Sequence, residues 1–380
     1  MSTADPLLDI DRLVSRKYEV GQKLGKGAYG VVWKATEKKS GRVCALKKIF
    51  DAFQNATDAQ RTYREIIFLK QMTAHENIVR LENVLKAEND KDIYLVFEFM
   101  ETDLHAAIRA NILEDVHKQY IMYQALKALM YMHSAQLVHR DMKPANLLLN
   151  AECLMKVADF GLARSLVGDG ELDSSGAIPS LTDYVATRWY RAPEILVASS
   201  KYGTPVDLWS LGCIFAEMLG GQPAFTGKTT LNQIEKIVLF LGLPSVEDRA
   251  DLKSEFTASL LDNMSSEEGT PTSLEPEQVL KKWRELYSSA SEEALSLLAS
   301  LLVINPTKRL TAVAGLTHPY VAAFHDRASA LPASSAVEVF HMNDNTKAST
   351  SMYRDKLYSM LPFAEEAKGK DSNPFQLSRR

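Results

Sequence analysis

The chain has 380 residues, 46% apolar and 24% charged, with a net charge of −4; this is the composition of a folded globular protein and argues against a nucleic-acid or membrane surface. Its three widely spaced cysteines (Cys44, Cys153, Cys213) form no CxxC pair, which argues against a metal site or disulfide scaffold and fits a reducing compartment. The start, MSTADPLLDIDRLV, has no signal-peptide pattern and no apolar run is long enough for a bilayer, so a soluble intracellular protein is expected.

Residues 1–17 read as a short leader. From Tyr18 to about Lys91 the pattern is strand-rich, with apolar residues alternating with polar ones and a turn at Lys39–Arg42. DAQRTYREIIFLKQM predicts a helix, with Ile66, Leu69 and Met72 near helical spacing. DIYLVFEFM, from Asp92 to Met100, predicts a buried strand. The chain then turns helical: HKQYIMYQALKALMYMH has apolar residues at Ile121, Ala125, Leu126, Leu129 and Met132, and VDLWSLGCIFAEML is apolar enough for a buried helix. Residues 165–181 and 263–276, rich in Gly, Ser and Asp, read as surface loops. After Asp326 the composition shifts to Ala and Ser. MYRDKLYSML then predicts a short helix with Tyr353, Leu357 and Met360 on one face, and the last dozen residues read as disordered. No internal repeat is visible. The coarse picture is a small β-rich half followed by a larger helical half.

Several short stretches carry chemistry. GKGAYGVV, from Gly25 to Val32, lies between two strand patterns, and its glycines let a phosphate approach the backbone. A ligand-free hairpin is the plain alternative; a dinucleotide site would need a helix at the third Gly, whereas VVWKAT continues as strand. Lys47 follows an apolar strand, and Glu65 lies on a helix face that turns apolar. A buried carboxylate wants a cation, and Lys47 is the obvious one, though an exposed Glu is the bland reading. In HRDMKPANLLLN, Asp141 and Asn146 stand five apart with Lys143 between them, and Pro144 makes the segment a loop. VADFGLAR places Asp159 between a strand end and a Gly. Two acids and an amide carbonyl suit Mg²⁺, which prefers oxygen ligands and brings phosphate oxygens with it.

In this order, these motifs resemble a eukaryotic protein kinase over about residues 18–325, including Ala192-Pro193-Glu194. The resemblance implies an α+β, bilobal fold: a β-rich N-lobe with one main helix (about 18–97), a larger helical C-lobe (about 101–325), and a C-terminal extension (326–380) packing on the kinase domain. It also implies ATP and Mg²⁺. Lys47 would hold the α- and β-phosphates, oriented by Glu65, under a cover formed by Gly25, Gly27 and Gly30. Leu24, Val32 and Ala45 complete the ATP site, with Phe97 at the back of the adenine pocket and Glu98 to Met100 as the hinge. Asn146 and Asp159 would hold Mg²⁺. Asp141 would accept the proton of the substrate hydroxyl, and Lys143 would neutralise the transferred group, the serine/threonine pattern.

Thr182-Asp183-Tyr184 followed by VATRWYRAPE narrows the resemblance to mitogen-activated protein kinases, as do RTYREI and METDLH; the intervening Asp is similar to plant and protist members. Phosphates on Thr182 and Tyr184 would switch the enzyme on. Arg64, Arg140 and Arg164 would clamp the first, and Arg188 and Arg191 the second. Substrates with Pro after the target Ser or Thr are expected, with an upstream kinase and a phosphatase as further partners. Twenty residues separate Gly161 from Thr182, a longer segment that resembles the atypical extracellular-signal-regulated subgroup, which phosphorylates its own loop. Asp326 is followed by Arg327, Ala328 and Ser329, so weak binding of classical basic docking peptides is expected. No nucleic acid or membrane partner is expected; a monomer in the cytoplasm, with the nucleus as a second site, is. Two rival readings are a catalytically inactive kinase-fold scaffold and a cyclin-dependent-like kinase. The first is opposed by the presence of Lys47, Asp141 and Asp159, the second by Tyr184.

Overall fold

A computed structural model describes residues 10–27, 30–166, 172–173, 186–199, 201–252, 254, 273–325, 332–333, 335–337 and 347–360. Thr182, Tyr184, the docking segment 326–329 and the last dozen residues lie outside the described residues. The chain divides into two compact units, residues 1–100 with 346–380, and residues 101–345.

The first unit is built on a five-stranded antiparallel sheet. A short helix α1 (Arg12–Lys17) leads into β1 (Tyr18–Lys26), β2 (Gly30–Glu37) and β3 (Val43–Ile49). Helix α2 (Ala56–Met72) follows, then β4 (Leu81–Lys86) and β5 (Ile93–Glu98). The sheet order is β1-β2-β3-β5-β4. Alternation along β3 buries Cys44 and Leu46 among Tyr18, Ala35, Tyr94 and Val96, and Val14 of α1 completes that cluster. Val14 of the expected leader therefore belongs to the core. Helix α2 starts where the Asn55 side chain accepts the N–H groups of Thr57 and Asp58, both at 3.0 Å, a cap worth about 1 kcal/mol. The expected amphipathic helix near the C-terminus spans Thr350–Ser359 and buries Tyr353 and Leu357, with Met360 half-buried at its end. The Tyr353 ring packs 5.5 Å from Tyr63 of α2.

The second unit is mainly helical. Strand β6 (Thr102–Asp103) meets helix α3 (Leu104–Arg109), and the long helix α4 (Asp115–Ser134) follows. Short strands β7 (Leu137–Val138), β8 (Leu147–Leu149), β9 (Met155–Val157) and β10 (Arg164–Ser165) come next. They form a three-stranded sheet, β6-β8-β9, and a two-stranded one, β10-β7. Helix α5 (Pro193–Leu196) precedes α6 (Pro205–Gly220), which buries all its residues from Val206 to Met218. The mean apolarity that predicted this burial is what lets α6 lie at the centre of the unit, where a helix has no solvent face. Helix α4 and the helix Glu292–Leu301 pack against it, and α7 (Thr230–Leu241) packs against α5. Two loop expectations shift at their ends: Ser165 pairs with Leu137 in β10-β7, and a helix already begins at Pro276, capped by Glu275.

Candidate active site

In the first unit, Lys47 on β3 and Glu65 on α2 form the expected pair, with Nζ 2.5 Å from Oε1. The Glu65 side chain is 5% exposed, so its charge has lost most of its water and the ammonium replaces it. The glycines differ in what they do. A Cβ on Gly30 would lie 2.1 Å from the Lys48 carbonyl oxygen, so β2 and β3 themselves require glycine there. Cβ atoms on Gly25 and Gly27 would meet nothing within 4 Å. Packing among the described residues does not explain the missing side chains at Gly25 and Gly27; close approach of a ligand would. Of the expected adenine contacts, Leu24 is exposed, Val32 and Ala45 are half-buried, and Phe97 and Met100 are buried. Ala45 and Phe97 are cross-strand partners. The Glu98 side chain turns back to accept the Arg80 N–H at 2.7 Å.

In the second unit, β7 delivers His139-Arg140-Asp141. Arg140 has φ +68°, a left-handed backbone that costs a non-glycine residue about 1 kcal/mol or more. The turn aims Asp141 into a buried position. One carboxylate oxygen, Oδ2, receives Lys143 Nζ at 2.7 Å, and its backbone carbonyl receives Asn146 Nδ2 at 2.8 Å. The other oxygen, Oδ1, is buried with no hydrogen-bond partner among the described residues. Burial raises the Asp141 carboxyl above its ordinary value; Lys143 pulls it down, and the charge of Asp159 adds to the rise. Asp159 is also left-handed, at φ +63°, with Oδ1 accepting the Gly161 N–H at 3.4 Å. His139 packs edge-on against Phe160, centroids 5.0 Å apart.

These residues fit Mg²⁺. The Asn146 amide nitrogen is committed to Asp141, so its carbonyl oxygen is the atom that would face an ion, and Asp159 would offer a carboxylate. Among the described residues no three His, Cys, Asp or Glu side chains gather as a metal cage. Two protein oxygens suit an ion that keeps waters and brings phosphate oxygens.

The expected phosphate-clamp residues are placed as follows. Arg64 is buried in the first unit and Arg164 in the second. Arg140 lies 5.5 Å over the Tyr202 ring, and Arg191 is half-buried. Arg188 is buried, with Nη1 donating to the Lys228 carbonyl at 3.0 Å. Its Nε has no partner among the described residues.

Two features escaped the sequence reading. Asp207, in the first turn of α6, is fully buried and accepts the N–H groups of His139 at 2.9 Å and Arg140 at 2.8 Å. It therefore holds the strained turn that carries Asp141. Burial works against its charge, but His133 and His139 together outweigh burial and the carboxyl is held below its ordinary value. A lone Asp in the apolar run VDLWSLG was the available signal. The second feature is Arg309, whose guanidinium grips Glu194 of the Ala-Pro-Glu motif through two bonds of 2.8 and 3.0 Å.

Residues 18–321 match the protein kinase domain. The chain is 54% identical to "Extracellular signal-regulated kinase 2" of Dictyostelium discoideum over 368 residues, 96% of each protein. It is 51% identical to "Mitogen-activated protein kinase 15" of Xenopus laevis over 355 residues, 93% of this chain and 58% of that protein. It is 45% identical to "Extracellular signal-regulated kinase 7" of Drosophila melanogaster over 354 residues, 93% of this chain and 37% of that protein. With the kinase domain covering four-fifths of its length and relatives this similar, the chain belongs to the protein kinase family, as a serine/threonine kinase of the atypical mitogen-activated type.

Proposed function

We propose that this protein transfers the γ-phosphoryl group of ATP to Ser or Thr hydroxyls followed by Pro in protein substrates, with Asp141 as the proton acceptor. One observation carries the assignment: a buried carboxylate with one oxygen held by Lys143 and the other without a partner among the described residues. The free oxygen accepts the proton of the attacking hydroxyl as its oxygen bonds to phosphorus and the bond to the leaving ADP oxygen breaks. Burial strengthens the base, and Lys143 supplies a cation for charge growing on the phosphoryl oxygens. Lys47, fixed by Glu65, holds the α- and β-phosphates, and the backbone at Gly25 and Gly27 covers them. Asn146 and Asp159 hold Mg²⁺, which when bound neutralises phosphate charge.

Phosphorylation of Thr182 and Tyr184 switches the enzyme on in this reading. The unpartnered Nε of buried Arg188 supports it, because a buried cation with a spare donor favours an incoming anion. The long segment between Gly161 and Thr182 supports phosphorylation by the chain itself.

The test is the intact mass and phosphosites of bacterially produced protein beside an Asp159→Ala version. Phosphate on Thr182 and Tyr184 in the native sequence alone is expected. Its absence, with activity restored by an activating kinase, would refute self-activation. Its absence with no restorable activity, or peptide phosphorylation indifferent to Pro, would refute the corresponding part of the assignment.

A further inference from the structure

The strained turn at Arg140 persists only if something over-determines it. Asp207 does so, and Asp207 has a third partner besides the two backbone N–H groups: His133 Nε2 lies 3.0 Å from Oδ2. His133 belongs to the last turn of α4, where the helix dipole favours a donor or a cation. Its side chain is 12% exposed and the Asp207 side chain 0%. The Oδ2 atom thus receives both His133 and the His139 N–H, while Oδ1 receives the Arg140 N–H. Without His133 a fully buried carboxylate would keep only two backbone donors, and it would lose its one side-chain partner. Water or a rearranged carboxylate would then compete for the bonds that hold the turn.

We infer that His133 is a positioning residue for phosphoryl transfer, acting through Asp207 and the Arg140 turn on the aim of Asp141. It touches neither substrate nor nucleotide. The inference deepens the assignment of Asp141 as proton acceptor and rests on it. Its expected signature is a loss in kcat with the KM for ATP kept, because displacement of the base by a fraction of an ångström slows the chemical step.

The experiment compares His133→Gln with His133→Met in the full chain, assayed with one peptide and with ATP varied. Glutamine and methionine are similar in size, and only glutamine donates a hydrogen bond. Expected are a glutamine variant within about threefold of wild type and a methionine variant with kcat down at least about tenfold, both with KM for ATP within about twofold. Equal kcat per folded molecule in the two variants, whether high or low, would overturn the inference, since a purely space-filling role affects both alike. If the methionine variant does not fold, His133→Ala assayed with and without added imidazole carries the comparison: restored kcat supports the role, and a folded alanine variant that imidazole leaves unchanged overturns it. A wild-type chain without transfer, after treatment with an activating kinase, fails the assignment of Asp141 instead.

Discussion

Replacing Arg309 with Met should strip the second unit of a large part of its stability. The Arg309 side chain is 0% exposed and that of Glu194 2%, so solvent screening gives no discount and the small value of a surface pair does not apply. Breaking a buried pair from one side costs about 3–5 kcal/mol because it strands the other charge. The guanidinium also donates to the carbonyls of Val303, Pro205 and Ile304 at 3.0, 2.7 and 3.2 Å. Each stranded carbonyl adds about 1 kcal/mol unless water reaches it. A loss of at least about 4 kcal/mol follows, set against a total of about 5–15 kcal/mol for a folded domain. Urea unfolding followed by tryptophan fluorescence reads it directly, since Arg309 stacks 5.2 Å over the Trp209 ring. The double replacement Glu194→Leu with Arg309→Met should recover much of the loss, because no charge remains stranded. A single variant losing less than about 1 kcal/mol, or a double variant no better than the single, would refute the reasoning. Arg284→Ala, at the exposed pair with Glu292, serves as the control and should leave the unfolding midpoint unchanged.

Gly30→Ala should cost about 1–3 kcal/mol or more, since the new Cβ meets the Lys48 carbonyl, whereas Gly27→Ala should leave the melting temperature unchanged and raise the KM for ATP several-fold; an equal effect of both on melting would contradict this. Val14→Ala, at a position 0% exposed, should cost about 2–3 kcal/mol, while Leu13→Ala, at one 50% exposed, should be silent; calorimetry distinguishes them. Burial holds the phenols of Tyr190, Tyr287 and Tyr320 above the ordinary value of 10.0, with Glu217 adding to the rise at Tyr190. Because the folded state keeps protons that the unfolded chain releases near that value, stability is full below it and falls as pH rises beyond it. Near-ultraviolet phenolate absorbance should therefore step up together with the loss of circular dichroism. Smooth ionisation of every tyrosine before unfolding would count against the burial argument.

What was legible in the sequence was chemistry with a fixed address. Lys47 and Glu65 could be paired in advance because a carboxylate on an apolar helix face must find a cation, and Asp141 and Asn146 because the loop residues between them allow few geometries. The helix that became α6 announced itself through unbroken apolarity. Position-specific packing was not legible. The six residues of α1 are too few for periodicity to register, and only the contact of Val14 with the sheet makes them part of a core. Asp207 was hidden for the opposite reason: a single acid in an apolar run reads as noise until its two backbone donors are seen. Gly30 looked like its neighbours Gly25 and Gly27, yet the approach of a strand carbonyl, which no motif encodes, gives it a separate duty.

The left-handed backbone of Arg140 sets two demands on one residue. Glycine would suit φ +68° better than any side chain, so Arg140→Gly relieves the turn of its conformational penalty and removes the guanidinium over Tyr202 at the same stroke. On the reading that Arg140 grips the Thr182 phosphate, a screen for thermal resilience would favour that exchange and a screen for signalling output would reject it. On that reading, position 140 is where durability and responsiveness compete, and the arginine there favours the second.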